Sequence, residues 1–216
     1  MKIAAPALQR DLENAIPLEE AVSLTLACEQ TLEGFSFEGG ALMGMRFPSA
    51  EVKSCVLHGC RLTGIQMPKV YFGNVRFENC DLSAANFTDG GFARCELSGC
   101  KLSGANLGGA SLSDIVFRDC VSDGAVFSEC TLKNVRFERC RMRGAAMTEL
   151  RVRKGTMEFS ECDLAQATLF RTPLAGLDLT TCNIEGAALE GPELRGAIVT
   201  ALQACELAKL LGVIIK

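Results

Sequence analysis

Residues 80–89 read CDLSAANFTD, and residues 95–109 read CELSGCKLSGANLGG. In both stretches a large apolar residue returns at every fifth position, and a smaller residue, usually Cys or Ala, stands two positions before it. A period of five fits neither an α-helix nor a β-strand, so the chain must turn a corner once per pentad. Four such sides would close a square coil of about twenty residues, stacked on its neighbours at the parallel-strand spacing of about 4.8 Å.

The pentad pattern extends far beyond these stretches. It runs from Leu32 to Met157 in one frame and resumes from Leu164 to Val199 in a second frame, shifted by two residues. We therefore predict an N-terminal cap at residues 1–31, a repeat domain at 32–199 and a C-terminal segment at 200–216. The change of frame predicts a two-residue insertion within residues 156–161. A solenoid of this kind is stabilised by coil-to-coil contacts and needs a cap at each end.

Glycine and proline positions support one corner per pentad. Gly stands two positions after many of the large apolar residues, as at Gly59 and Gly104, where a tight corner needs a positive φ. Pro48 and Pro68 fall one position earlier, where a φ near −65° fits the same turn.

The twelve cysteines are unusual in number, and their positions suggest a structural role. Thiols one strand spacing apart exceed the typical Cβ separation of a disulfide, about 3.8 Å. Free Cys also behaves as a small buried hydrophobic residue. We predict free, buried thiols and no metal site. Ten cysteines occupy the small inward position of a pentad: Cys55, Cys60, Cys80, Cys95, Cys100, Cys120, Cys130, Cys140, Cys162 and Cys182.

The sequence carries no GxxxxGK[ST], HExxH or GxSxG motif. Its acidic and hydroxyl residues are dispersed over outward positions, whereas catalysis requires polar groups that converge in a pocket. We therefore predict a protein that is not an enzyme, with no catalytic residues and no cofactor. The N-terminus lacks the apolar core of a signal peptide, and no apolar run approaches the roughly 18 residues of a membrane span. These features predict a cytoplasmic protein with no membrane partner.

The net charge of −4 is distributed unevenly. Residues 131–154 contain eight basic and two acidic residues, whereas residues 155–216 contain four basic and eight acidic residues. The basic belt at 131–154 is either a solvated surface or a site for nucleic acid or phosphate. Six acidic residues of the C-terminal third fall at outward positions of the second frame: Glu161, Asp163, Asp178, Glu185, Glu190 and Glu193.

The C-terminal segment departs from the pentad pattern. Thr200 and Gln203 form a capping-box pattern, and Gly212 falls where a helix would end, so a short amphipathic helix is predicted between them. This segment is more apolar than a cap over one coil requires, which predicts a twofold contact between two chains. The residues assigned to that homodimer interface are Leu207, Leu210, Leu211, Val213, Ile214 and Ile215.

Three pentads, Cys80–Ala84, Ala85–Asp89 and Ala105–Gly109, match the consensus A(D/N)LXX, so the chain resembles the pentapeptide-repeat family. Within that family, residues 172–179, 194–197 and 207–212 are similar to the Qnr-type quinolone-resistance proteins of Gram-positive bacteria. This resemblance implies an all-β fold, a right-handed quadrilateral parallel β-helix, with a short C-terminal α-helix that joins two chains into a rod. The chain lacks the projecting loops of the plasmid-borne Qnr members.

The same resemblance implies a function. Qnr-type proteins imitate duplex DNA and engage DNA gyrase or topoisomerase IV, so the six acidic residues above become the candidate topoisomerase-binding surface. No direct nucleic-acid contact is expected. The sequence leaves open whether such binding protects the enzyme from quinolone-like poisons or modulates it. The alternative is a protein-interaction scaffold of the same family with an unrelated partner.

Overall fold

The computed structural model describes residues 3–8, 12, 16–25, 31–153, 155–210 and 212–215. These residues form a right-handed parallel β-helix with four walls, as expected. Helix α1 (Leu18–Thr25) precedes it, and a 3₁₀ turn (Pro192–Leu194) and helix α2 (Ala201–Leu210) follow. The strands are β1 (Thr31–Glu33), β2 (Ser36–Glu38), β3 (Glu51–Lys53), β4 (Val56–His58), β5 (Tyr71–Gly73), β6 (Arg76–Glu78), β7 (Gly91–Ser98), β8 (Ser111–Arg118), β9 (Thr131–Glu138), β10 (Arg151–Val152) and β11 (Met157–Ser160).

The strands stack into two of the walls. Wall 1 contains β1, β3, β5, β10 and the first halves of β7, β8 and β9, and wall 2 contains β2, β4, β6, β11 and their second halves. Walls 3 and 4 are held by single parallel bridges, which run from Ala41 to Asn183 on wall 3 and from Arg46 to Ala188 on wall 4. Up to β10 each residue pairs with the residue twenty positions later, so one coil is twenty residues.

The corners have the backbone conformation that the glycines predict. Gly59 and Gly104 have φ of 64° and 65°, and Pro48 and Pro68 are followed by Ser49 and Lys69, each with φ 59°. Non-glycine residues adopt the same conformation at other corners, including Ala84 at φ 53°. The fold therefore requires a left-handed residue at these corners but does not require glycine at each of them.

The two inward positions of each pentad fill the interior of the coil. The ring of Phe137 stacks on Phe117 at 4.7 Å and on Phe159 at 5.0 Å, which continues one column of the core across three coils. The predicted inward cysteines are all buried, and many of their thiols donate to a carbonyl of the preceding coil, as from Cys120 to Leu97 at 3.4 Å. The thiol thus fills the small position and also forms a weak hydrogen bond there.

The break in register differs from the sequence expectation. Val152 pairs with Leu132, whereas Met157 pairs with Val135 and Phe159 with Phe137. The two extra residues therefore lie between Val152 and Met157, ahead of most of the predicted segment 156–161. Met157 occupies a small inward position, and Phe159 takes the large one that Met157 was expected to fill. We call the described residues of this break, Arg153, Gly155 and Thr156, the bulge.

Gly155 fits the bulge against the preceding coil. A Cβ atom at this position would lie 2.6 Å from Oδ1 and 2.9 Å from the backbone nitrogen of Asn134. Only glycine therefore allows the bulge to approach so closely. Asn134 is buried, and its Nδ2 donates to Asp114 Oδ1 at 2.8 Å.

Helix α1 closes the N-terminal end of the solenoid. Leu18, Ala21 and Val22 are buried on its inner face, and they join the same hydrophobic cluster as the first coils. Glu19 accepts a hydrogen bond from the backbone N–H of Ala41 at 2.6 Å, which satisfies an amide at the open end. The helix thus covers both the apolar interior and part of the exposed backbone of the first coil.

Candidate functional site

Helix α2 is tied to the last coils by the predicted capping box. The backbone N–H of Thr200 donates to Gln203 Oε1 at 2.8 Å, and the backbone N–H of Gln203 donates to Thr200 Oγ1 at 3.2 Å. Gln203 Nε2 also donates to the carbonyls of Leu179 and Cys182, both at 2.8 Å. One side chain therefore caps the helix and the open end of the wall beneath it.

The C-terminal end of α2 and one of its leucines are also fixed locally. Gly212 has φ 77°, and the N–H groups of Gly212 and Val213 donate to Lys209 and Ala208, a Schellman motif. Leu207 is buried and belongs to the hydrophobic core cluster, against which Leu194, Ala197 and Val199 also pack. Leu207 thus seals its own chain, which removes it from the predicted dimer interface.

Other apolar side chains at this end of the rod remain uncovered. Leu210 is 51% exposed and Ile214 is 84% exposed, and Leu211 lies outside the described residues. Ile198 and Leu202 were not among the residues predicted for the interface, because the first falls in a pentad and the second on the outer face of the helix. The exposed large apolar residues of this C-terminal apolar end are Ile198, Leu202, Leu210, Val213, Ile214 and Ile215.

Four of the six candidate acidic residues lie on wall 3 or at its two edges, or on the neighbouring wall 2. Asp163 is on wall 3, Asp178 is on wall 2, Glu161 is at the turn between these two walls, and Glu185 is at the turn between walls 3 and 4. Glu161, Asp178 and Glu185 are exposed, whereas Asp163 forms an ion pair with Arg143 and accepts a hydrogen bond from Asn183. We call these four residues the acidic corner.

Two of these carboxyl groups have a lowered pKa. The hydroxyl and the backbone N–H of Thr180 donate to Asp178 Oδ1 at 2.6 and 2.9 Å, and they hold the pKa of that carboxyl below its usual value. At Asp163, partial burial acts to raise the pKa, but Arg143 and the backbone N–H of Ala165 outweigh it and lower the pKa. Both groups therefore carry a negative charge at neutral pH.

The other two candidates lie elsewhere. Glu190 is exposed near wall 4. Glu193 is buried, and its carboxylate accepts hydrogen bonds from the backbone N–H groups of Arg171 at 2.8 Å and Glu190 at 3.2 Å. Glu193 thus closes a turn of its own chain and cannot present its carboxylate to a partner.

An unbroken chain of ion pairs, which the sequence analysis missed, follows wall 2 across successive coils. Arg118 bridges Glu96 at 2.7 Å and Glu138 at 2.9 Å, and Arg136 bridges Glu138 at 3.2 Å and Glu158 at 2.8 Å. Arg76 and His58 extend it toward the N-terminus through Glu78. Arg and Glu residues at spacings of 20 and 22 positions were the signal in the sequence. We call this the wall 2 ladder.

The structure also limits other kinds of site. Where the chain is described, no group of three or more His, Cys, Asp or Glu side chains has an arrangement that would hold a metal ion. Burial raises the pKa of Cys55 to about 11 and those of Cys95 and Cys130 to about 12. Neither α1 nor α2 has the length and apolar character needed to cross a bilayer, and the described residues contain no other α-helix.

Known structures of similar shape include repeat proteins of several sources. A trypsin-treated form of QnrB1, described as a plasmid-mediated fluoroquinolone resistance protein, is 19% identical, with 83% of this chain and 100% of that chain covered and a TM-score of 0.43. A pentapeptide repeat protein from the thylakoid lumen of Arabidopsis thaliana is 22% identical, with 50% and 72% covered and a TM-score of 0.41. HetL from the cyanobacterium Nostoc, involved in heterocyst differentiation regulation, is 15% identical, with 85% and 97% covered and a TM-score of 0.28.

Comparison with sequence families is more specific. No curated protein sequence matches the chain. The family described as pentapeptide repeats (8 copies) matches residues 53–89, and the one described as pentapeptide repeat region matches residues 90–158. The two matches adjoin, and they cover the pentads whose inward residues fill the core and whose turns separate the four walls. The chain therefore belongs to the pentapeptide-repeat family.

Proposed function

We propose that this protein is a non-enzymatic, cytoplasmic homodimer that binds a type II topoisomerase, DNA gyrase or topoisomerase IV, by imitating the negative charge of duplex DNA. The observation that carries the proposal is the position of the acidic corner beside the C-terminal apolar end. The choice of topoisomerase as partner follows from the sequence resemblance to Qnr-type proteins. Binding would then modulate the enzyme or protect it from quinolone-like poisons.

The apolar end provides the proposed dimer contact. Leu210, Val213, Ile214 and Ile215 are exposed together on and after α2, and contiguous apolar surface of this kind favours association. A twofold contact there would place two copies of the same surface against each other. It would also join two rods end to end, because α2 covers the last coil.

The dimer would double the acidic corner. Glu161, Asp178 and Glu185 form no ion pair with any other described residue, so their charges are available to a partner. The twofold axis would repeat them on the second chain, which extends the row of carboxylates through the middle of the rod. Duplex DNA carries one negative charge per about 1.7 Å of its axis, and a protein surface that binds it is correspondingly cationic. Such complementarity sets the rate and the specificity of encounter.

The neutralised basic belt supports the proposal as well. Arg136, Arg139, Arg141 and Arg143 each form an ion pair with a carboxylate, so half of the belt contributes little positive potential. An unpaired basic belt across this surface would oppose the imitation of DNA, which is uniformly negative. On walls 2 and 3 the described arginines of this belt no longer oppose it.

The dimer and the binding surface are tested separately. Leu210→Glu should convert a dimer into a folded monomer by light scattering, because it buries an unpaired carboxylate at the contact. Met43→Glu is the matched control, since Met43 is 58% exposed near the other end of the rod. If the unsubstituted protein is a monomer, α2 is only a cap and the twofold arrangement is wrong.

Binding is measured with purified gyrase, in a supercoiling assay with and without a fluoroquinolone. The triple variant Glu161→Gln, Asp178→Asn, Glu185→Gln should weaken the effect on gyrase roughly tenfold, because it removes charge complementarity. Glu33→Gln, Asp89→Asn, Glu129→Gln removes the same charge at exposed positions elsewhere and should retain it. Equal loss in both variants would show that only net charge matters.

A scaffold with an unrelated partner is the second candidate. Wall 4 favours it, because the bridging residues from Gln66 through Asn86, Asn106, Val126, Ala146 and Thr168 to Ala188 carry no charge. Beyond Arg46, a flat wall whose bridging residues are uncharged is unlike DNA and suits contact with another protein. This candidate is supported if neither gyrase nor topoisomerase IV responds to the protein at any salt concentration.

A further inference from the structure

The basic belt separates into two parts with different surroundings. Its residues on and around walls 2 and 3 are paired: Arg136 with Glu138 and Glu158, Arg139 with Asp119, Arg141 with Asp123 and Arg143 with Asp163. Lys133, Arg151 and Arg153 lie on wall 1 and are exposed. Of the carboxylates in the described part of the chain, none forms an ion pair with these three side chains.

The register brings these three cations together. Arg151 pairs with Thr131 and Val152 with Leu132, so Arg153 begins the bulge directly beside Lys133 on the neighbouring strand, at a spacing of about 4.8 Å. Arg151 precedes Arg153 by two residues and faces the same side of its strand. Like charges opposite each other on neighbouring strands are destabilising. We call Lys133, Arg151 and Arg153 the wall 1 basic patch.

The surroundings of the patch offer hydrogen-bond donors. Ser111 and Thr131 occupy the same outward row of wall 1 as Arg151. Asp114, at one edge of this wall, is already engaged, because it accepts hydrogen bonds from Asn134 at 2.8 Å and Ser113 at 3.2 Å. At the other edge, Glu149 forms an ion pair with Arg171, and Glu129 is exposed. Guanidinium, ammonium and hydroxyl groups together are the donors that contact nucleic-acid phosphates and sugars.

We propose that the wall 1 basic patch binds the phosphodiester backbone of a nucleic acid. The site provides charge and donors on a flat wall, which suits contact that does not depend on base sequence. An acidic peptide would instead be expected to bind with its side chains in pockets. The large apolar side chain exposed at this patch is that of Val152, which is 38% exposed. From the sequence, the belt was left as either a solvated surface or a site for nucleic acid or phosphate, and the expectation of no direct nucleic-acid contact came from the resemblance to Qnr-type proteins.

This inference is independent of the proposed topoisomerase binding. Wall 1 lies opposite wall 3, which carries Asp163 and has Glu161 and Glu185 at its two edges. The two surfaces therefore face away from each other, and one molecule can present both. Failure of the gyrase assay would leave this site unaffected, and failure of nucleic-acid binding would leave the acidic corner unaffected.

Fluorescence anisotropy of a labelled, mixed-sequence DNA duplex with the full-length protein tests the site. If three phosphates are neutralised, affinity should fall roughly 40-fold between about 50 and 200 mM salt. Arg151→Gln/Arg153→Gln should reduce the salt slope by about 1.8, because two contacts are lost. Arg141→Gln/Arg143→Gln removes the same charge from paired arginines on wall 3 and should retain the slope of the unsubstituted protein.

Three results would overturn the proposal. The first is no binding at the lower salt concentration, and the second is an equal loss in both double variants, each shown to be folded by circular dichroism. The third is competition by an acidic polypeptide, such as poly-glutamate, at a lower concentration than unlabelled DNA. That result would assign the patch to an acidic protein instead.

Discussion

Phe87 is 2% exposed and lies edge-on to Phe72 and Phe92, with ring centroids 5.7 and 5.9 Å away. Phe87→Ala should lower the free energy of unfolding by about 3 to 5 kcal/mol, because the rigid coils cannot close the cavity. Urea denaturation measures the loss. Phe170→Ala on the outer surface is the control, with an expected cost of about 1 kcal/mol or less. A similar small cost at Phe87 would contradict its place in the core.

Single residues also show where sequence reasoning succeeds and where it ends. Inward and outward positions follow from pentad spacing, so the burial of Phe87 and of the cysteine column could be predicted. Met157 and Phe159 are both large, apolar and two positions apart, so the position of the bulge depends on strand pairing that the sequence does not express. Glu193 falls at an outward position by spacing, but the 3₁₀ turn at Pro192–Leu194 directs its carboxylate to the backbone.

The wall 2 ladder is the element whose stability depends most directly on pH. Partial burial acts to raise the pKa of Glu138, but the guanidinium groups of Arg118 and Arg136 outweigh it and hold the pKa below its usual value. A depressed pKa in the folded state means that the ionised form stabilises the fold. That contribution is complete above the ordinary pKa of a glutamate, about 4.3, and is lost as the pH falls through the lower folded value.

Glu138→Gln should therefore destabilise the protein at neutral pH by about 1 kcal/mol. The difference from the unsubstituted protein should shrink as the pH falls through the lowered pKa of Glu138 in the folded state, because below it neither protein carries the charge at this position. Chemical denaturation at a series of pH values measures it. Glu129→Gln, at an exposed corner, is the control and should show little difference at any pH. A constant difference for Glu138→Gln would mean that the ion pairs do not contribute.

The C-terminal elements were predictable in part. Thr200, Gln203 and Gly212 are local signals, and the structure contains the helix boundaries that they indicate. Which leucines of α2 cover the core depends on the rotation of the helix over the last coil, and this is fixed by Gln203 binding the carbonyls of Leu179 and Cys182. Leu207 was assigned to a dimer contact because amphipathic spacing does not distinguish one apolar cover from another.

The molecule as a whole should open from its ends, because each coil contacts only its neighbours. Cys205 is exposed, whereas the ten inward cysteines are buried and those with burial-raised pKa values contain little thiolate. A thiol reagent should label Cys205 rapidly, and then Cys60 and Cys182 before Cys100 and Cys120. Peptide mapping by mass spectrometry gives the order. A Cys28→Ser variant serves as control, since Cys28 lies outside the described residues.

Rapid labelling of several inward cysteines in the folded protein would contradict this arrangement. Simultaneous labelling of all ten would instead indicate a single cooperative opening.

The architecture of the whole molecule was its most predictable feature, since one repeat determines every coil. The distribution of charge was less predictable, because ion pairs such as Arg118 with Glu138 join residues that lie twenty positions apart.

Because every coil has the same rise, the length of the solenoid is proportional to its number of coils. Each twenty residues advance the chain by one strand spacing of about 4.8 Å, and the bulge leaves the columns of the core aligned. Inserting or deleting a whole coil would change the separation of α1 and α2 by that step, without turning any wall to a new direction. If one partner bound at each end of such a rod, the distance between the two partners could change only in steps of one strand spacing, about 4.8 Å.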